Sequence, residues 1–478
     1  MISMICQLAL CVAPADDVRA CVADLHAHVP SRYWATTRYL SMSAVEPRRR
    51  DELRAVCSFM VNSVSRSAVM VRLDVVDGSA GRLLRLELLR LDPIESPRID
   101  PSSARSEKPR QSTIVPLVQA WEQLAAEDPY YHILGQVIDP ASSKTAQVYT
   151  DGGWVDLAAA AELRTMTGSG GALLRADWFV AHACQPPHYY TLAGIPETRD
   201  AWLRQLGFHA REIIDLRANR GANLTRSGVT GNLRRISRWA GPLGAIWNTY
   251  DTAEADADKD PFRNPTFTSK FEAGEHIASR GNGMLSYALF NFEGRRQNGV
   301  PPNIAVDDTV HPATELVPML SCVRCHAAGG GARPTGGLLS FADEQSKLLE
   351  GQVRLLADDP ETLEKLAAFY GRQEQLQREL DRDREDYELA VKRATVHYNA
   401  HDAALALGRV HREYALELVD LPAAALELGL TIEDARTRLA GASDVVILSL
   451  LEGGKVQRKQ WEQAYAEAAL LGARKAER

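Results

Sequence analysis

One five-residue stretch, Cys322-Val323-Arg324-Cys325-His326, constrains this 478-residue chain more than any other part of it. Covalent haem attachment needs two thiols that reach the two vinyl groups on one porphyrin edge, and an imidazole below the iron. CxxCH meets both needs within five residues. Cys322 and Cys325 are therefore expected to form thioethers to one haem c, and His326 to be the proximal axial ligand of the iron. At this chain's Cys and His frequencies the pattern should arise by chance only about 0.003 times per chain. A zinc knuckle would need a second Cys or His pair close by, and the sequence has none. A dithiol redox motif belongs at a strand-to-helix turn of a βαβ unit, a context missing here.

The ligand on the other face of the iron separates electron transfer from ligand or peroxide chemistry. Small monohaem cytochromes usually take a methionine from downstream of the motif, and this chain has none after Met319. Met319 itself precedes Cys322 by three residues and reads as core. Other candidates are His276, Met284 and His311 upstream, and His397, His401 and His411 downstream. His397 and His401 stand i, i+4 on an expected helix, a spacing that can clamp a metal but more commonly marks a solvated face. The sequence names no distal ligand.

The remaining cysteines, Cys6, Cys11, Cys21, Cys57 and Cys184, are scattered singly. They read as small buried apolar residues rather than a disulfide framework. A net charge of −7 argues against nucleic acid as a partner. No apolar run is long enough for a transmembrane segment. Residues 1–17 read as a weak export signal, apolar over residues 2–13 but with no Lys or Arg ahead of it. The expectation of a periplasmic or cell-envelope location therefore rests on haem c maturation.

Helices are expected through residues 18–65, including Asp51 to Ser63, and then a β-hairpin from 69–76 and 82–91 around Asp77-Gly78. A Pro/Ser-rich loop covers 93–113, and helices follow near 115–127, 155–167 and 198–208. From about 225 to 300 the texture becomes β-rich, with His276–Ser279 and Met284–Asn291 joined by Arg-Gly-Asn-Gly. Asp256, Asp258 and Asp260 alternate in an acidic loop. Pro261 and Phe267 stand where a calcium loop needs Gly and Glu, so the loop reads as solvated. Residues 342–416 read as long helices punctuated by Pro360 and Gly371.

Several stretches resemble a family of large, mostly uncharacterised bacterial cytochrome c-like (haem-binding CxxCH) proteins. They are Arg38–Ser41, Phe59–Arg66, Arg175-Ala176-Asp177-Trp178-Phe179, Ser227-Gly228-Val229, Trp247–Asp251, Gly274-Glu275, Asn282–Leu285 and Leu320–Ala327. The resemblance spans residues 33 to 330 and implies covalent haem at Cys322 and Cys325 with iron on His326; it supplies no substrate. The chain departs from the family pattern twice. A histidine expected before Gly274-Glu275 is replaced near Phe271, and one expected before the Trp247 stretch is missing near Trp239. Arg175, Asp177 and Trp178 are read either as a polar site in which Arg175 pairs a haem propionate, or as a structural ion pair beside a core tryptophan.

The expected fold is α+β and helix-dominated. An N-terminal α+β domain (18–210) is followed by a central β-rich region (211–310) and then a helical C-terminal part carrying the haem motif (311–478). The expected function is one-electron transfer by a monohaem c-type cytochrome-like protein to an unknown redox partner. The alternatives are a peroxidase-like haem c enzyme with an open distal site, and a binding or scaffold module with accessory haem.

Overall fold

A computed structural model describes residues 14–91, 116–130, 157–208, 219–224, 234–251, 273–300, 315–327, 360–370 and 373–473. The expected loop at 93–113, the acidic loop at Asp256–Asp260, Ser227–Val229, His311, Phe271 and residues 1–13 lie outside them.

The fold is α+β with helix dominant. Helix α1 (Pro14–His28) leads through a 3-10 turn into strand β1 (Thr37–Ser41). That strand lies inside the stretch expected to be helical. Every one of its residues is buried, because β1 sits in the interior of a four-stranded sheet ordered β2-β3-β1-β4. Two-sided burial removes the polar–apolar alternation by which strands are recognised. Helix α2 (Arg50–Val64) follows where expected. The expected hairpin forms between β2 (Asp74–Val75) and β3 (Leu83–Glu87), in shorter arms than the pattern promised.

Helices α3 (Leu117–Ala125) and α4 (Leu157–Thr167) precede strand β4 (Leu173–Arg175), which pairs parallel with β1. Then come α5 (Ala176–Ala183), α6 (His188–Ala193) and α7 (Arg199–Gln205). The second sheet has six strands in an unbroken antiparallel meander, in chain order. They are β5 (Asn219–Leu224), β6 (Arg234–Gly241), β7 (Gly244–Asp251), β8 (Ala273–Ser279), β9 (Leu285–Asn291) and β10 (Arg296–Gln297). The β8–β9 hairpin turns at Gly281-Asn282-Gly283, with Gly283 at φ +84°. This is the hairpin that the Arg-Gly-Asn-Gly stretch predicts.

The chain then enters α8 (Leu320–Ala327), which carries Cys322, Cys325 and His326. Helices α9 (Pro360–Tyr370), α10 (Gln373–Thr395) and α11 (Ala400–Ala415) follow; α9 starts at Pro360, and Gly371 lies between α9 and α10. Four more complete the described chain: α12 (Leu421–Glu427), α13 (Ile432–Leu439), α14 (Val445–Leu451) and α15 (Arg458–Ala473). Side chains of Asn399, Asp420, Thr431 and Asp444 cap the first turns of α11 to α14. Among the described residues no helix is long and apolar enough to cross a membrane.

The C-terminal helices pack back on the N-terminal half. Helix α11 lies against α2, α5 and the motif helix α8, and α10 also packs on α2. Polar bridges lock these contacts. Arg238 on β6 forks onto Asp383 of α10 at 2.8 Å, and the Trp247 indole donates to the same carboxylate. From the β8–β9 turn, Arg280 donates to the carbonyls of Ser65 and Ala193, and Asn282 donates to the carbonyl of Asn62. The stretches Phe59–Arg66 and Asn282–Leu285, far apart in sequence, therefore meet.

Candidate functional site

Helix α8 begins abruptly. Pro318 precedes it, and Met319 is held in the left-handed region at φ +71° while fully buried. A non-glycine residue there costs about 1–3 kcal/mol, which the surrounding packing must offset. Ser321 helps to fix the entry: its amide donates to the Val317 carbonyl, and its hydroxyl accepts from the Val317 amide. Three and four residues apart, Cys322, Cys325 and His326 share one helix face. Cys322 and His326 are buried and Cys325 is half-buried. On another face, Arg324 lies over Gly408 of α11, where an added Cβ would come within 3.1 Å of its Cδ. That glycine permits the close approach of the two helices.

The opposite wall is the β8–β9 hairpin. The Glu275 carboxylate sits 3.2 Å from His326 Nε2, and both side chains are at least nine-tenths buried. Glu275 is fixed at its backbone, where its amide donates to the Thr249 hydroxyl. Its carboxylate also bonds the Cys322 thiol. Burial, then this carboxylate, pushes that thiol well above its ordinary range, so it stays protonated. The Tyr287 ring stacks over His326, with centroids 6.3 Å apart and planes inclined by 26°. The hydroxyls of Tyr189 and Tyr190 on α6 accept from the amides of Tyr287 and Leu289, bracing β9 from the side.

The donor set fits haem c in its chemistry. Two thiols and an imidazole stand at i, i+3 and i+4 on a single helix face, and one thiol is shielded from water and from disulfide exchange. His326 Nε2 is turned toward Glu275, so an iron on that nitrogen requires the carboxylate to draw back. Among the described residues no three His, Cys, Asp or Glu side chains are arranged to hold a bare metal ion.

The other candidates scatter. Strand alternation sends His276, next to Glu275, to the other face of the sheet, where it packs against Trp202 and Phe290. Burial is the main cause that lowers its pKa to about 3. Met284 and Met319 are core residues. His397 falls in the turn before α11 and His401 within it, both exposed, so the two do not share a helix. His411 is buried.

Arg175 stands in a structural ion pair with two carboxylates. It forks onto Asp177 at 2.7 and 2.8 Å and meets Glu427 at 2.7 Å, and Glu427 also receives Arg458 and the Trp461 indole. With both carboxylates on its guanidinium, Arg175 is not set to pair a propionate. Trp239 packs at a tilt against Phe208 in the core. Cys21, Cys57 and Cys184 are buried free thiols.

Glu275 and Tyr287 are the site residues that reading the sequence did not single out by role. The only signal was indirect: one marks a stretch shared with the cytochrome c-like family, and the other is one aromatic in an alternating strand. No protein-family model, curated protein or solved structure matches this chain.

Proposed function

We propose that this chain is a monohaem c-type cytochrome-like protein that passes single electrons in the bacterial cell envelope. The observation that carries the reading is the placement of Cys322, Cys325 and His326 on one face of α8, two of them buried against the β8–β9 hairpin. Haem c, once bound, supplies a one-electron iron couple. The chain's own residues do the rest. Cys322 and Cys325 tether the group on one helical turn, and His326 offers its imidazole to the iron. Tyr287 keeps water from the imidazole, and the β8–β9 hairpin with α11 holds the helix in place. The envelope location follows from where thioether attachment takes place, and the partner is a redox protein rather than nucleic acid, in keeping with the net charge of −7.

The test is expression of the full chain with a haem c attachment system. Haem should stay with the polypeptide after denaturation and solvent extraction, and the pyridine derivative should show the spectrum of two saturated thioether links. Haem that is extracted, or none at all, overturns the proposal.

A further inference from the structure

The face of the six-stranded sheet turned away from α8 carries a polar row. Ser237 on β6, Asn248 on β7 and His276 on β8 are register partners across three adjacent strands, so their side chains share that face. All three are at 0% exposure. The row runs on into Gly221 of β5 and Ala288 of β9, which offer no polar side chain. Trp202 of α7 and Phe290 cover His276, and Phe208 packs against Trp239, two positions along β6 from Ser237. Among the described residues, Asn248 Oδ1, Asn248 Nδ2 and Ser237 Oγ have no hydrogen-bond partner.

A buried polar atom left unmet has lost its hydration with nothing to replace it. A leucine at position 248 would fill a similar volume and avoid that loss, so the carboxamide needs a partner. The groups define its chemistry. Asn248 presents a donor beside an acceptor, and Ser237 can act as either. A cation would meet the Asn248 donor, with Arg235 buried on the same face, and an anion would meet the Asn248 carbonyl. Burial is the main cause that lowers the His276 pKa to about 3, so the row carries no charge of its own. Water both donates and accepts. Complete burial of both side chains leaves room for nothing larger than a single water. The spacing also suits it: Cβ atoms of cross-strand partners lie about 4.5–5.5 Å apart, and a water with two bonds of about 2.8 Å spans a gap of about 5 Å.

We propose that Ser237 and Asn248 bind an internal water that bridges β6 to β7 on the face of the sheet away from the motif helix. The bridge backs a strand that serves the other face. Trp247 and Thr249, on either side of Asn248, point the opposite way, to Asp383 of α10 and to the Glu275 amide. The site does not depend on haem attachment.

The test uses the full chain as wild type, Asn248→Leu and Ser237→Ala. Magnetic relaxation dispersion of water oxygen counts the waters held inside a folded protein. Asn248→Leu should lose signal equal to about one such water relative to wild type. Ser237→Ala adds no bulk and should shorten the residence of that water. A high-resolution crystal structure of wild type should place a water within about 3.2 Å of both side chains. Equal dispersion amplitude in wild type and Asn248→Leu overturns the assignment. If Asn248→Leu does not fold, an unchanged dispersion profile in Ser237→Ala overturns it. So does a wild-type crystal structure in which Ser237 and Asn248 bond each other directly with no water between them.

Discussion

Arg175 and Glu427 stand 252 positions apart in the chain and meet at 2.7 Å in a fully buried pair. The contact joins the end of β4 to the end of α12. Around it Arg458 adds a second cation, and Tyr130 and Tyr414 lie under the Arg175 guanidinium at 4.6 and 5.3 Å. A buried pair of this kind does little for net stability against an apolar replacement, but removing one member leaves uncompensated charge. Glu427→Ala, which strands two buried arginines, should cost about 3–5 kcal/mol. The check is the urea midpoint at constant slope; a loss below about 1 kcal/mol would show that water or another carboxylate replaces Glu427.

The same cluster sets the acid limit of the fold. Burial alone would raise the Glu427 carboxyl, but Arg175 and Arg458 prevail and bring it from 4.5 to about 2. Its contribution to stability is complete above pH 4.5 and is lost as the pH falls toward 2. His411 acts at higher pH. Burial, then Arg324 and His182, lower its imidazole from 6.5 to about 4, so the unfolded chain binds that proton first. Stability should therefore fall from pH 6.5 to about 4. Urea midpoints across pH 7 to 4 measure this, and His411→Gln should flatten that part of the profile.

Asn62 shows how α2 is tied to its surroundings. Its amide donates to the carbonyls of Ser58 and Val71 and accepts from the Val71 amide, at 0% exposure. Asn62→Ala leaves the Val71 amide and carbonyl without these partners in the core. The expected loss is about 1–3 kcal/mol, read by denaturant unfolding. An effect near zero would mean that the 62–71 loop re-forms its bonds without the side chain.

Gly194 ends α6 in the left-handed region at φ +66°, and a Cβ there would come within 2.5 Å of Arg66 Nε. Gly194→Ala combines backbone strain with displacement of a guanidinium that bonds the Thr191 and Leu192 carbonyls. A loss of about 1 kcal/mol or more is expected. Because α6 carries Tyr189 and Tyr190, hydrogen exchange in β9 should also quicken; exchange unchanged there would detach α6 from the support of the site.

Replacing the thiols separates the two tethers. Cys322→Ala and Cys325→Ala should each leave one thioether, and the double variant should carry no covalent haem. Mass spectrometry of the denatured chain reads this directly. The double variant should still fold, since both side chains are small and only Cys322 is fully buried. A chain that retained covalent haem without either thiol would refute the attachment sites.

By itself, the sequence determined the elements whose signals are local. The motif helix residues, the β8–β9 hairpin at Arg-Gly-Asn-Gly, the β-rich character of the region that holds the meander and the helices that flank Gly371 follow from spacing, turn chemistry and periodicity. Strand β1 was hidden, because burial on both faces erases alternation. The short α5 and α6 were hidden as well, since six to eight residues carry too little periodic signal to register. Only the tertiary structure decided the partners. Nothing in the spacing of residues 175 and 427 foretells that Arg175 is spent on Glu427 and closed to a propionate. Nor does the sequence say which of Glu275 and His276 turns toward His326. A strand's alternation fixes that neighbours face opposite ways, but packing against the second layer decides which face is which. The CVRCH stretch thus named two thiols and an imidazole as candidate donors from sequence alone, while the residue that faces His326 came from a strand 51 positions away.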